Sequence, residues 1–314
     1  MEKWFVMSKK ADFERLGALY GISPVTARLI RNRDVVEEEA FYKYLKGSIS
    51  DLYNPHLLKD VELLTDTLTE KIKDKKTIRI IGDYDIDGVM SSYILFKGLK
   101  KCHAAVDVQI PHRMTDGYGI NESIIEEAHR DGIDTILTCD NGIAAYNQVK
   151  IAKELGMQVI ITDHHEVPYE EVDGEKKFLI PAADAVIDPK QEDCQYPFSS
   201  ICGGFVAYKC MEALCRRQNV WPLKEEKELR AVAAIATVGD VMQLLDENRI
   251  LVKEGLELLA NTENIGLKTL IQITGLTDAK LTPYHIGFVL GPCINATGRL
   301  DVAERALHLL LTKS

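Results

Sequence analysis

Three short aliphatic runs in this chain each lead directly to an acidic residue. Ile78-Arg79-Ile80-Ile81 leads to Asp83, Thr135-Ile136-Leu137-Thr138 to Asp140, and Val159-Ile160-Ile161 to Asp163. Short β-branched runs separated by helical patterns of ten or more residues read as βαβ units, hence as a parallel sheet. Strands are expected near 77–82, 106–110, 134–139, 158–162 and 185–187, and helices near 61–73, 89–101, 121–130 and 144–155. Right-handed crossovers carry the C-terminal ends of all the strands to one edge, and open α/β sheets bind ligands outside that edge. The three acids should therefore converge. The expected fold class is α/β, a doubly wound, mainly parallel five-stranded sheet with N-terminal helices and a helical C-terminal extension.

Before the first run, residues 1–60 read as short helices. Phe13, Leu16, Leu19 and Tyr20 have helical spacing, Ser23-Pro24 suits the cap and first turn of a helix over Val25 to Ile30, Phe41, Tyr44 and Leu45 suggest a third helix, and Tyr53-Asn54-Pro55 a turn. After the last run the chain turns helical, with an amphipathic stretch over 206–217 and a buried one over 229–241. A helix over 267–273, the Gly291–Arg299 segment and a closing helix, cut in mid-course at Thr312, end the sequence. At 314 residues the chain can bury one large core plus a smaller piece. The seven cysteines are odd in number and contain no CxxC pair, which argues against zinc or a disulfide framework and for a reducing, cytoplasmic setting. No run approaches the ~20 apolar residues of a membrane span. A net charge of −10 excludes a broadly basic nucleic-acid surface but not a nuclease, because bound metal would make an acidic site attractive to phosphate.

The acidic positions carry the chemistry. Asp85 and Asp87 flank one residue, so an extended loop would point both carboxylates toward adjacent metals, with Gly88 allowing a sharp turn into a helix from Val89. Ser91 would then offer a hydroxyl beside the N–H groups of that helix's first turn, a setting that suits phosphate. Asp140, followed by Asn141-Gly142, is placed to bridge two ions, His164 adds a nitrogen, and Asp240 from the helical layer closes the far side. Mixed carboxylate and imidazole donors suit Mn²⁺ or Mg²⁺, and two such ions ~3.5–4 Å apart activate water and stabilise a leaving oxygen. A lone Asp after a strand is more often a helix cap, and Asp163-His164-His165 alone is a weak signal. Their joint occurrence at parallel strand ends favours a metal centre. Asp188, before Pro189, reads as a turn residue and Cys139 as a buried strand residue. His112-Arg113 with Asp116 to Gly119 forms a polar loop that contacts substrate or simply turns.

These residues resemble the DHH phosphoesterase superfamily and, within it, the RecJ family of single-strand-specific exonucleases. Gly82 to Ser91 is similar to the first motif, GDYDADGxTS; Thr138 to Gly142, Asp163 to His165 and Thr237 to Asp240 match the next three; and Gly291 to Asp301 is similar to a RecJ segment at the substrate phosphates. By that resemblance Asp85, Asp87, Asp140, His164 and Asp240 would hold two divalent metals, Mn²⁺ or Mg²⁺, with Asp140 bridging. Asp83, Asp163 and His165 would support the ligands or touch substrate, and Ser91, Asn295 and Arg299 would hold phosphates. The implied reaction is stepwise 5′-to-3′ hydrolysis of single-stranded DNA in repair and recombination, by a monomer working with single-strand-binding protein and a helicase. Ile81 stands where small superfamily members carry a histidine, which favours the RecJ branch. Cys293 replaces a common Arg and Met90 a common Thr. RecJ proteins continue into a second catalytic domain and an oligonucleotide-binding barrel, so the chain reads as an N-terminal half: 1–60 helical, 61–262 the DHH domain, 263–314 a connector. The alternatives are a phosphodiesterase on short oligonucleotides or cyclic dinucleotides, and a non-catalytic scaffold, which the filled acidic positions disfavour.

Overall fold

The computed structural model describes residues 3, 9–112, 119–300 and 302–314. The polar loop expected at Arg113 and 116–118, and Asp301 of the phosphate segment, lie outside the described residues. The strands are β1 (Thr77–Ile81), β2 (Ala105–Gln109), β3 (Thr135–Cys139), β4 (Gln158–Thr162), β5 (Tyr169–Val172), β6 (Glu175–Phe178) and β7 (Ala185–Ile187). Five of them form one parallel sheet in the order β2-β1-β3-β4-β7. Alternation along the strands splits the aliphatic residues between two cores. Ile78, Ile80, Leu137 and Ile160 serve one face, and Ile81, Ile136, Val159 and Ile161 the other. Burial on both faces is why these strands read as continuous apolar runs.

The helices are α1 (Phe13–Tyr20), α2 (Pro24–Arg31), α3 (Glu38–Lys46), α4 (Val61–Lys73), α5 (Ile86–Lys101), α6 (Glu122–Arg130), α7 (Tyr146–Glu154), α8 (Gly203–Arg217), α9 (Leu223–Gly239), α10 (Asp246–Ala260), α11 (Ile265–Ile273), the single turn α12 (Pro283–His285), α13 (Gly291–Leu300) and α14 (Glu304–Leu311), with a π-helical turn over Ile286–Leu290 before α13. α6 and α7 cover one face of the sheet through Ile124, Ile125, Val149 and Ala152. α4, α5 and α8 cover the other. The N-terminal helices have a small core of their own, Ile30, Val35 and Phe41. Ser23 caps α2 as expected, its Oγ accepting from Thr26 N at 3.0 Å.

Four expectations change. α8 is buried on every side from Gly203 to Cys215 rather than amphipathic, because α5, α9 and the sheet all pack on it. α9 stops at Gly239, so Val241 lies outside it, in a left-handed conformation and 87% exposed. α14 ends at Leu311, with Thr312 extended, and packs with α11 against α5 in the main core. The antiparallel β5–β6 hairpin is not among the expected elements. Its register sets Glu170 opposite Lys177 and Glu171 opposite Lys176, and its turn uses Asp173 and Gly174, both at positive φ. Among the described residues no helix is long and apolar enough to cross a membrane. All seven cysteines are free, and Cys139 is buried in β3 as expected.

Candidate metal centre

Each strand-end acid stays tied to the sheet by its neighbour's ladder. Gly82 N–H donates to Gln109 O at 3.2 Å, Asp140 N–H to Thr162 O at 3.1 Å and Asp163 N–H to Ile187 O at 3.0 Å. Asp140 sits in the left-handed region at φ 59°. Asn141 locks that turn by donating from Nδ2 to Ile81 O and Cys139 O. The acids then meet at the sheet edge. Asp83, Asp85 and Asp140 present donor atoms within 4.8 Å of one another, as do Asp87, His164 and Asp240, and again Asp140, His164 and His165. His164 Nε2 lies 3.0 Å from Asp140, 3.5 Å from Asp87 and 3.8 Å from Asp240. Asp140 and His164 each belong to two of these groups, and Asp140 is the one that links the Asp83 and Asp85 side to His164.

The loop carrying Asp85 and Asp87 differs from its expectation. α5 starts at Ile86, not Val89, and Asp85 is its cap, with Oδ1 accepting from Gly88 N at 3.0 Å. The two carboxylates therefore do not project from an extended segment and fall into different donor groups. Gly88 is inside the helix, where a Cβ would stand 2.4 Å from Asp83 O. Asp87, in the first turn of α5, points at the start of α8. Its Oδ2 accepts from Gly203 N at 2.7 Å and its Oδ1 from Gly204 N at 2.8 Å. A helix N-terminus presents unpaired N–H groups and favours negative charge. Gly203 and Gly204 are thus functional positions that sequence reasoning missed. A Cβ on Gly203 would meet Asp140 Cβ at 2.8 Å, and one on Gly204 would meet Ala236 Cβ at 2.5 Å. The available signal was a Gly-Gly pair heading a long apolar stretch.

The expected phosphate contacts are placed unevenly. Ser91 is fully buried with no partner on Oγ among the described residues, so it does not face the open edge. Asn295 gives its amide oxygen to Ile86 N–H at 2.8 Å, fastening α13 to the start of α5. Gly298 completes that contact, since a Cβ there would stand 2.3 Å from Tyr84 O. Arg299 is exposed in the last turn of α13, and Cys293 is exposed on the same helix.

Charge is poorly balanced here. Asp83, Asp87, Asp140, Asp163 and His164 are all at least 94% buried. Burial, with Asp85 beside it, pushes Asp83 up to about 7. Burial and the charges of Asp87 and Asp85 do the same to Asp240, also to about 7. Asp140 is raised well above the usual carboxyl range by burial and then by Asp87 and Asp85. Burial raises Asp87 against the pull of His164, and burial lowers His164. Among the described residues, Asp83 Oδ1 and His164 Nδ1 have no hydrogen-bond partner. Crowded acids and a neutral imidazole with unpaired atoms are a donor set that fits hard divalent cations.

Asp163 is the exception. Burial acts to raise it, but the His165 ring and the N–H groups of Ile143 and His164 outweigh burial and hold it below the usual range. Its Oδ1 accepts from His165 Nδ1 at 2.7 Å and its Oδ2 from Ile143 N at 2.9 Å. That bond raises His165 in turn. Asp188 makes the expected turn, Oδ1 accepting from Lys190 N at 2.8 Å, but it is also fully buried with Oδ2 unpartnered, and burial with the charge of Asp163 pushes it up to about 7.

Comparison with known proteins bears directly on this arrangement. The family model described as DHH family, N-terminal domain, matches residues 77–239. The single-stranded-DNA-specific exonuclease RecJ of Bacillus subtilis (strain 168) is 38% identical over 292 residues, covering 93% of this chain and 35% of that protein. The enzyme of the same name from Escherichia coli (strain K12) is 32% identical over 300 residues, covering 92% and 50%. Among solved structures, RecJ from Thermus thermophilus in complex with Mn²⁺ matches with a TM-score of 0.77 at 29% identity, covering 96% of this chain and 41% of that one. The chain thus spans between about a third and a half of the length of these curated relatives.

Proposed function

Because the chain belongs to the DHH family, we propose that its acidic centre hydrolyses the phosphodiester bonds of single-stranded DNA, stepwise from the 5′ end. The observation that carries this is the convergence of the seven acidic and imidazole donors of the three groups at one sheet edge, with every acidic motif position filled and the acids crowded against one another. Similarity to single-stranded-DNA-specific exonucleases over nearly the whole chain supports the substrate class. The 5′-to-3′ direction, a place in repair and recombination, single-strand-binding protein and a helicase as partners, a monomeric state and a cytoplasmic setting belong to the same proposal.

Asp83, Asp85 and Asp140 would hold one divalent cation, and Asp87, His164 and Asp240 the other, with Asp140 shared. Structures of RecJ from Thermus thermophilus in complex with Mn²⁺ and with Mg²⁺ support those two metals. Such cations polarise a phosphoryl oxygen and supply a nucleophilic water at neutral pH. The protein's own part is positional. The N–H groups of Gly203 and Gly204 fix Asp87, so its carboxylate needs no reorganisation when a cation arrives. Asp163 keeps a proton on His165 Nδ1 and raises the basicity of the ring, which suits it to deliver a proton to the departing 3′ oxygen.

The test is Mn²⁺-dependent release of mononucleotides from 5′- and 3′-labelled single strands, with a dinucleotide as control. Release from the 5′ end, lost in Asp140→Ala, is the expected result. Cleavage of the dinucleotide alone would replace this reading with a small-substrate phosphodiesterase, and activity unchanged in Asp140→Ala would remove the metal centre from the chemistry.

A further inference from the structure

A cavity of ≈ 390 Å³ is lined by Glu166, Lys190, Gln191, Tyr196, Ser199 and Ser200 among others. Its walls are continuous in sequence with the centre. Glu166 follows His165, Lys190 stands two residues beyond Asp188 at the end of β7, and Ser200 lies three residues before Gly203. Lys190 is fixed at its base by the N–H bond to Asp188 Oδ1 and at its tip by Glu166, Nζ to Oε1 3.0 Å. The two partners are unequal: the Lys190 side chain is 23% exposed and that of Glu166 88%. The Lys190 charge acts on His164, Asp188 and Asp240, which places the ammonium within electrostatic reach of the metal donors. Deeper in the wall Gln191 is 4% exposed, with Nε2 on Val186 O at 2.7 Å and Oε1 unpartnered.

An exposed Lys–Glu pair ordinarily contributes about 0–1 kcal/mol and has no further role. Three features set this one apart. Its carboxylate is almost entirely in water and can leave at little cost. The cation borders a polar cavity whose walls follow directly on the strand-end donors in sequence. And a chain of net charge −10 can hold a polyanion only through local cations.

We propose that this cavity is a subsite for the sugar-phosphate unit adjoining the scissile bond. Lys190 exchanges Glu166 for a non-bridging phosphate oxygen, and the hydroxyls of Ser199 and Ser200 donate to the same unit. The proposal rests on the reading of the chain as a single-strand nuclease and adds the place where the strand's next phosphate is gripped.

The test compares wild type, Lys190→Gln, Lys190→Arg and Glu166→Gln. Binding of a fluorescent phosphorothioate thymidylate strand is measured in Mn²⁺ across a salt series, and hydrolysis of bis-p-nitrophenyl phosphate, which has no neighbouring phosphate, is followed in parallel. Loss of one phosphate contact should lower the log–log salt slope by about 0.7 in Lys190→Gln and weaken binding several-fold. Lys190→Arg should restore the slope, and Glu166→Gln, which releases the lysine, should tighten binding. The bis-p-nitrophenyl phosphate rates of the four should differ far less than their strand affinities do. Equal slopes and affinities in all four proteins, or losses that appear equally on bis-p-nitrophenyl phosphate, would overturn the subsite while leaving the nuclease reading standing. A wild type that hydrolyses bis-p-nitrophenyl phosphate yet binds no strand would overturn both.

Discussion

Two clusters of buried charge in this molecule are built on opposite terms. Around Lys209 and Glu247, both fully buried, every group has a partner. Lys209 Nζ reaches Glu247 Oε2 at 2.9 Å and donates to Tyr53 O, while Glu247 also accepts from Tyr53 N–H and Tyr196 O–H. At the sheet edge, Asp83, Asp87 and Asp140 are as deeply buried, but they crowd other acids, and Asp83 Oδ1 has no partner among the described residues. Burial of charge is therefore not what marks a functional site. A closed cluster holds the fold together, here by joining the Tyr53 turn to α8 and α10; an open one is strained until something binds. Such strain persists because the surrounding sheet and helices fix it.

The comparison breaks most sharply under mutation. Asp140→Ala removes the shared donor and should lower hydrolysis by about 10³-fold or more, since metal polarisation supplies several kcal/mol to the transition state. The same variant should raise the melting temperature of the metal-free protein, because it deletes one of several repelling acids. Glu247→Ala should do the reverse: it strands Lys209 and destabilises the fold by about 3–5 kcal/mol in urea unfolding, while the protein that remains folded keeps its activity. If both variants lost stability alike, the distinction between the clusters would collapse.

Smaller effects sharpen it. Gly203→Ala sets a Cβ against Asp140 and Asp87 and should weaken Mn²⁺ affinity about 10- to 100-fold, the usual cost of disturbing groups that orient ligands. Asp163→Asn frees His165 and should lower the pH at which that imidazole titrates by NMR, with a loss of rate in the same range. The pH dependence follows from the raised carboxyls. Asp83, Asp240 and Asp188 move from 3.8 to about 7 in the fold. Each binds its proton more tightly folded than unfolded, so the stability present below pH ~4 is lost as pH rises through about 7. In chelator, the melting temperature should fall across that window. In Mn²⁺ the part of the fall that comes from Asp83 and Asp240 should be abolished, because bound cations take the place of their protons.

How far the sequence reached into this arrangement follows from range. The parallel strands were visible because a strand covered on both faces must be aliphatic throughout, as Ile78 to Ile81 and Val159 to Ile161 are. The convergence of Asp83, Asp140 and Asp163 followed from crossover handedness alone. The start of α5 was misplaced because Asp85 is both a candidate ligand and the helix cap, and reading it only as the first hid the second. The partners of Asp87 lie more than a hundred residues away on α8, a tertiary fact that no local pattern carries. The same holds for Ser91, whose burial depends on α8 and α9, and for Asp188, whose turn was legible while its unpaired second oxygen was not. The hairpin at Asp173-Gly174 did have a local signal, but its strands are short, charged and exposed, so they lack the apolar run that marked the others.

The central claim, that the open cluster is a two-cation centre, is tested most directly by titrating Mn²⁺ into chelator-treated protein calorimetrically, in buffers of different ionisation enthalpy near pH 6.5. The expected result is two bound ions per chain with net proton release, and loss of both ions in Asp140→Ala. Absence of specific binding, or two ions bound without proton release and unaffected by Asp140→Ala, would contradict it.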